Sequence, residues 1–486
     1  MRKIHIPLLL IFISAIAYLP FIHQFGYYRD DWYLMYSANA LGGDVFHQIY
    51  ASDRPIRAFL MSFVYSIFDL NPLYYNISAY IFRLLGAFAF FYTLQMLWSH
   101  QRNANLIASI LFLVFPGFLS TPNSIDYQAQ QLSLFLAMSS IALSVWAILK
   151  HSNIYKFFIA FLVGIMSFIY LGLVEYFLGL EVFRLGVIFL ISRSASDSFR
   201  EQLRKVIPNY LSFSIGTTLF VIWRFFIFDS ERKATDLSAQ IGNFLHSPLL
   251  VGTDWLRTLI KDIFEVTLLS WWIPLSDLWS ISLRLRELFV AGLIALLTIS
   301  LIVFILKNNS SHNEYENQRS WLKEAFWLGL ITVISGFVPV ILSNRDADFG
   351  GLSRYMLASS VGAVILVTVF ISQFRSQKVY IGAACILVTS SVLMHYFNGL
   401  SWARSAQQMQ NFWWQVSWRI PQIKENTTLV VNYSHTAVEE DYFIWGPANL
   451  IYHPQSMDSQ RVEPAIWGLV LNRESAVSIL NHAKPS

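Results

Sequence analysis

The chain has 486 residues, 55% of them hydrophobic and only 13% charged, where an ordinary soluble domain carries about a quarter charged residues. That balance excludes a soluble globular protein, and the alternating pattern that a membrane β-barrel needs is absent. The formal net charge of +4 excludes little, because in a membrane protein the placement of Lys and Arg outweighs their sum. The single cysteine, Cys385, excludes an intrachain disulfide.

Along the chain, Met1-Arg2-Lys3 and the apolar run after it imitate a secretory signal, with Ala15-Ile16-Ala17 resembling a cleavage site. The run continues through Ile22, so an uncleaved first helix is expected. Eleven spans are predicted, at about 4–22, 76–98, 105–121, 129–149, 154–173, 175–192, 207–227, 287–306, 324–343, 355–373 and 378–397. With the N-terminus cytoplasmic, the inner connections collect Arg102, Lys150, Lys156, Arg193, Arg200, Arg204, Lys205, Lys307, Arg319, Lys323, Arg375 and Lys378, as the positive-inside bias requires. The expected fold class is an all-α polytopic membrane protein with about eleven transmembrane helices, a long first outer loop and a small α/β outer C-terminal domain.

Outer loops then fall at 23–75, 228–286 and 344–354. The first holds an apolar stretch, 58–70, too short to span and suited to an interfacial helix. The second holds Trp255, Trp271, Trp272 and Trp279, rings that prefer the headgroup level. Residues 1–397 read as a transmembrane domain and 398–486 as an outer domain, where 429–431 and 442–445 look like short strands. No repeat of 20–50 residues and no low-complexity tract occurs.

The strongest chemical signal is Phe25-Gly26-Tyr27-Tyr28-Arg29-Asp30-Asp31-Trp32. Adjacent carboxylates on a loop can place one group as a general base while a neighbour tunes it; an Asp before Trp-Tyr-Leu is equally a helix N-cap. The flanking aromatics Tyr28 and Trp32 suit a sugar face. Arg54 and Arg57 flank Pro55 at the head of the interfacial stretch and have the shape to grip phosphate, or to touch lipid headgroups. Arg83 lies inside the second span and needs a partner, either a ligand or a structural acid. Glu175 opens the sixth span, where the helix dipole favours a carboxylate or where it supplies a second acid. Glu181 and Arg184 are three apart and read as a structural pair. Arg354-Tyr355 closes the late outer loop, which also carries the D-x-D pair Asp346 and Asp348. There is no P-loop, G-x-G-x-x-G, H-E-x-x-H or cysteine cluster. His395 and His435 read as ordinary packing or loop residues.

The acidic pair after the first span, the Asp53-Arg54-Pro55 segment before an apolar helix, Asn71-Pro72, the Arg83-bearing span and the late Arg354-Tyr355 together resemble the GT-C superfamily of integral-membrane glycosyltransferases. The resemblance covers about 1–100 and 340–375. It implies an inverting transfer from a polyprenyl-phosphate monosaccharide to a cell-envelope glycan, lipid or protein on the outer face, with no nucleotide cofactor. Asp30 or Asp31 would act as base, and Arg54, Arg57 and Arg354 would bind the donor phosphate. Tyr28, Trp32, Arg83, Glu175 and Tyr355 are candidates for holding substrate. Some members bind a divalent metal near the first loop; this sequence does not show which ligands would complete such a site. Besides the sugar donor and acceptor, the partners implied are membrane lipids, not nucleic acid, and the location implied is a bacterial inner or plasma membrane. Two alternatives compete. An O-antigen polymerase or ligase would be expected to carry key arginines in a larger late loop than 344–354. A transporter or flippase of lipid-linked sugars would be expected to show paired halves.

Overall fold

In hydrocarbon every backbone N–H and C=O must be satisfied within its own segment, so the long apolar runs fold as helices. The computed structural model describes residues 6–150, 153–193, 198–228, 237–276, 282–308, 318–432 and 440–471. Among them eight helices are long and apolar enough to cross a membrane: Ile6–Gln24, Pro72–Leu97, Ser124–Lys150, Ile154–Leu173, Leu285–Lys307, Ser320–Leu342, Ser353–Ser372 and Gln377–Arg419. A bent pair, Phe199–Phe213 and Ile215–Ile227, meets at 59° and makes a ninth if it counts as one span. Phe158, Phe161 and Leu296 stand exposed on these helices, as side chains facing lipid do. The chain is an integral membrane protein.

Among the described residues eleven spans are therefore not found. The segment expected at 105–121 is the helix Arg102–Leu113, only 12 residues, closed off before Pro116-Gly117. The segment expected at 175–192 opens with a 3-10 turn, Glu175–Gly179, and continues as the 13-residue helix Leu180–Ser192. At 1.5 Å per residue such helices reach only about 20 Å, short of a bilayer core of about 30 Å. The stretch at 58–70 does form a short apolar helix, Pro55–Phe68, with Pro55 in its first turn. Trp279 and His435 lie outside the described residues.

The chain divides into two compact units. One comprises Met1–Pro20, Ala79–Thr121 and Ala129–Gly399. Close helix approach there depends on glycine: a Cβ at Gly216 would lie 1.9 Å from the Gly164 carbonyl oxygen. Arg184 is wholly buried. Its guanidinium pairs with Glu181 at 3.0 Å and donates to the hydroxyls of Ser140, Ser144 and Ser167. This is the structural pair expected from the three-residue spacing.

The other unit comprises Phe21–Ser78, Pro122–Gln128 and Leu400–Ser486. Its first part packs around Leu34, Met35, Phe46, Met61 and Tyr75. Its C-terminal part contains two parallel strands, β1 (Thr427–Val431) and β2 (Ile466–Val470), with Thr427 opposite Ile466. The helix Tyr442–Tyr452 connects them, as a parallel pair requires a crossover. Residues 429–431 are strand as expected, but 442–445 are helix. The aromatic run has strand propensity, yet Ile444 and Ala448, one helical turn apart, are what the core against Ile466 and Val470 buries.

Candidate functional site

The acidic pair sits at the start of the helix Asp31–Leu41. Arg29 turns the chain into it with φ of 47°, a left-handed conformation uncommon for a residue with a Cβ. Asp31 then folds back on the turn: its N–H donates to the Tyr28 carbonyl at 2.9 Å, and its Oδ2 accepts the Tyr28 N–H at 3.0 Å. Its Oδ1 accepts the N–H of Asp126 at 3.1 Å. That N–H belongs to the first turn of the helix Ser124–Lys150, where backbone donors have no partner within their own helix. Asp31 is only 1% exposed. Burial pushes its pKa well above the usual carboxylate range, Asp126 and Asp30 push the same way, and the two backbone donors oppose them.

Asp30 is placed differently. It occupies the N-cap position without making a side-chain cap, and it is exposed. Its Oδ1 accepts the phenol O–H of Tyr442 at 2.7 Å. Two neighbouring residues thus separate into a buried carboxylate that ties two elements together and an open one held by a tyrosine.

Arg57 is 4% exposed and is committed to Asp126. One Nη2 donates to both the Asp126 Oδ1 and its backbone carbonyl, each at 2.5 Å, and the guanidinium lies 4.9 Å from the Tyr50 ring centroid. Arg54 is more open, with its Nε 3.6 Å from Asp53. Tyr50 is the shared neighbour: burial raises its pKa, and the charges of Arg57, Asp126, Arg54 and Asp30 all act on its hydroxyl. Burial and then Asp30 likewise raise the phenol of Tyr442, which also feels Asp126. The charges of Asp30 and Asp126 thus reach both tyrosines, and those of Arg57 and Arg54 reach Tyr50.

Sequence reasoning missed Asp126 and Tyr442. Asp126 had a usable signal, an acid in the short 122–128 connection that the expected topology puts on the same side as Asp30. Tyr442 had none, being 412 residues from its partner.

Of the aromatic flanks, Tyr28 is turned inward, donating to the Trp402 carbonyl at 2.9 Å with its ring edge-on to Trp402. Trp32 packs edge-on to Tyr27 at 5.0 Å and lines a cavity. The helix carrying Tyr442 reaches this place because Gly446 lets it approach: a Cβ there would lie 2.9 Å from Cβ of Trp32. Gly446→Ala is expected to destabilise this unit by about 1–3 kcal/mol, the usual cost of overpacking. Thermal unfolding checks this, and a wild-type melting temperature would show that the helix is not held there.

The remaining candidates belong to the other unit, each with local partners. Arg83 donates to the carbonyls of Leu113 and Phe112, both at 3.0 Å, at the C-terminal end of a helix where a cation is favoured. Glu175 pairs with Arg224 at 2.8 Å. Arg354 donates to the Gly351 carbonyl at 3.0 Å and lies over the ring of Tyr355, which is buried. In the D-x-D pair, Asp346 binds Lys261 at 2.7 Å and Asp348 accepts the N–H of Gly350 and of Leu352. Asp262, beside Lys261, accepts the Ala347 N–H; burial pushes its pKa up to about 7.

Among the described residues no group of three His, Cys, Asp or Glu side chains is arranged to hold a metal ion. Asp30, Asp31 and Asp126 turn their oxygens to a phenol, to backbone donors and to a guanidinium. As placed, they do not fit a metal. No family model, curated protein or solved structure matches this chain.

Proposed function

We propose that the chain is an inverting membrane glycosyltransferase of the GT-C kind, moving a monosaccharide from a polyprenyl-phosphate donor to a cell-envelope acceptor. The observation that carries the reading is the exposed Asp30, held by Tyr442 next to Asp31, which binds the Asp126 backbone of the Asp126–Arg57 pair, with the more open Arg54 in the same unit. Such a site has what the reaction needs: a carboxylate facing solvent, a fixed orientation for it, and a guanidinium near it.

In the proposed step, a hydroxyl oxygen of the acceptor attacks the anomeric carbon from the face opposite the phosphate, and Asp30 takes the hydroxyl proton. The bond from the anomeric carbon to the phosphate oxygen breaks, and its electron pair leaves with the polyprenyl phosphate. One bond forms and one breaks at the same carbon, so its configuration inverts. Arg54 stabilises charge developing on the departing phosphate. Asp31 and Arg57 act through others: they fix the turn before Asp30 and the first turn that bears Asp126. An outer-face site, a cytoplasmic N-terminus and a bacterial plasma membrane belong to the same proposal.

The test is radiolabelled sugar transfer by the purified protein in lipid nanodiscs, comparing polyprenyl-phosphate monosaccharides with nucleotide sugars. Transfer from the lipid donors alone is expected. Absence of transfer from every lipid donor, with movement of lipid-linked sugar across vesicles, would make the protein a transporter.

A further inference from the structure

Beside Trp32 the unit that bears Asp30 holds an open cavity of about 440 Å³. Its walls include Tyr27, Trp32, Met409, Trp413 and Leu450, and no charged residue lines it among the described residues. Its polar wall groups are Gln410, Ser417, Tyr27 and the tryptophan indoles; the Ser417 and Tyr27 hydroxyls are already given to the Trp414 and Leu70 carbonyls, and the indole N–H groups of Trp32 and Trp413 are buried. A charge buried there would lose its water with no opposite charge in the wall to replace it. The size and lining suit an apolar ligand.

From this cavity we infer that the acceptor is an amphiphile, a glycolipid or lipid-linked glycan, whose apolar part occupies the space while its hydroxyl reaches Asp30. The inference rests on the glycosyl-transfer reading and narrows its acceptor. Two placements carry it. First, Asp31 and Trp32 are consecutive on one helix, so their side chains leave it about 100° apart. Asp31 points to Asp126 and thereby to the Arg57 side, whereas Trp32 points to the cavity. The cationic and apolar sides of the site are thus divided, the first suited to the donor phosphate and the second to another molecule. Second, the helix Tyr442–Tyr452 supplies Tyr442 to Asp30 at its start and Pro447, Leu450 and Ile451 to the cavity further along. At 1.5 Å per residue the cavity wall runs from about 8 to about 14 Å along that helix from the contact with Asp30. A molecule seated in the cavity therefore presents its polar end to the carboxylate that removes the acceptor proton. Trp414 and Ile451, at 61% and 45% exposed, leave an open apolar rim, the kind of patch that marks a ligand entrance.

The test uses dodecyl glucoside with a diazirine at the end of its chain, photolysed with the full-length protein in nanodiscs and mapped by mass spectrometry. Labelling within 406–417 and 447–451 is expected, suppressed by excess dodecyl glucoside and not by glucose or polyprenyl phosphate. Ser417→Phe, which fills the cavity, is expected to cut that labelling about tenfold and to raise the KM for an alkyl-glycoside acceptor similarly, with the melting temperature unchanged. Suppression by polyprenyl phosphate would assign the cavity to the donor tail and overturn the inference. Sugar transfer to alkyl glycosides without any cavity label would overturn it too, while leaving the transferase reading intact. Cavity labelling without transfer from any lipid donor would overturn the transferase reading, and the acceptor assignment with it.

Discussion

Asp30→Asn is expected to lower sugar transfer by about 10²–10⁴-fold, the range a positioned general base contributes, while the protein keeps its wild-type melting temperature. The amide oxygen of Asn can still accept the Tyr442 phenol, so the side chain stays in place and loses only its ability to take a proton. Asp31→Asn should behave in the opposite way. Both oxygens of Asp31 accept backbone N–H groups, and Asn has one acceptor to offer, so one buried donor is left facing an NH₂ group. That costs about 1–3 kcal/mol of stability. Its pH dependence has a definite sign. Because burial raises the Asp31 pKa in the folded protein above its unfolded value, its contribution is fully present below the ordinary carboxylate range and declines as pH rises toward the raised value. Wild type should therefore lose stability relative to Asp31→Asn with rising pH, read from paired melting curves. Full activity in Asp30→Asn, with an inactive Asp31→Asn of wild-type stability, would reverse the two roles.

The reason these two neighbours could not be told apart in the sequence is local. Their difference follows from the left-handed Arg29 and from the backbone donors of Tyr28 and Asp126, neither of which has a signature in residue type. The membrane class was legible because a span needs only length and apolarity, which the runs at 129–149 and 378–397 supply on their own. Hydropathy could not see that the helix Arg102–Leu113 stops short, since apolar residues continue past its end to Pro116-Gly117. Nor could it tell Arg54 from Arg57: three residues apart on one segment, they differ in whether an acid from 122–128 lies within reach. At 442–445 strand propensity misled, because helical burial of Ile444 and Ala448 against the β1–β2 pair decided the outcome. Partners distant in sequence settled the two arginines and the helix at 442–445, whereas local backbone settled where the helix Arg102–Leu113 ends.

Arg57→Ala is expected to cost about 3–5 kcal/mol, the loss found when one member of a buried ion pair is removed and the other keeps its charge. Arg57 and Asp126 side chains are 4% and 15% exposed, so water does not replace the guanidinium in the gap it leaves. The same Nη2 also holds the Asp126 backbone carbonyl, and the first turn of that helix would loosen with it. Asp126→Ala on top of Arg57→Ala should cost less than the sum of the single changes, because the second deletion removes the stranded charge. Additive losses in thermal unfolding would mean that the pair contributes nothing as a pair. The two arginines of this segment should then separate kinetically. Arg54→Ala is expected to raise the KM for a polyprenyl-phosphate donor by about tenfold or more with stability retained, as for loss of a charge-assisted phosphate contact. Arg57→Lys, which preserves the charge beside Asp126, is expected to recover part of the stability and to leave donor KM near wild type. If donor KM instead follows Arg57 while Arg54→Ala is silent, the buried guanidinium contacts the phosphate after all, and Asp126 must release it during turnover.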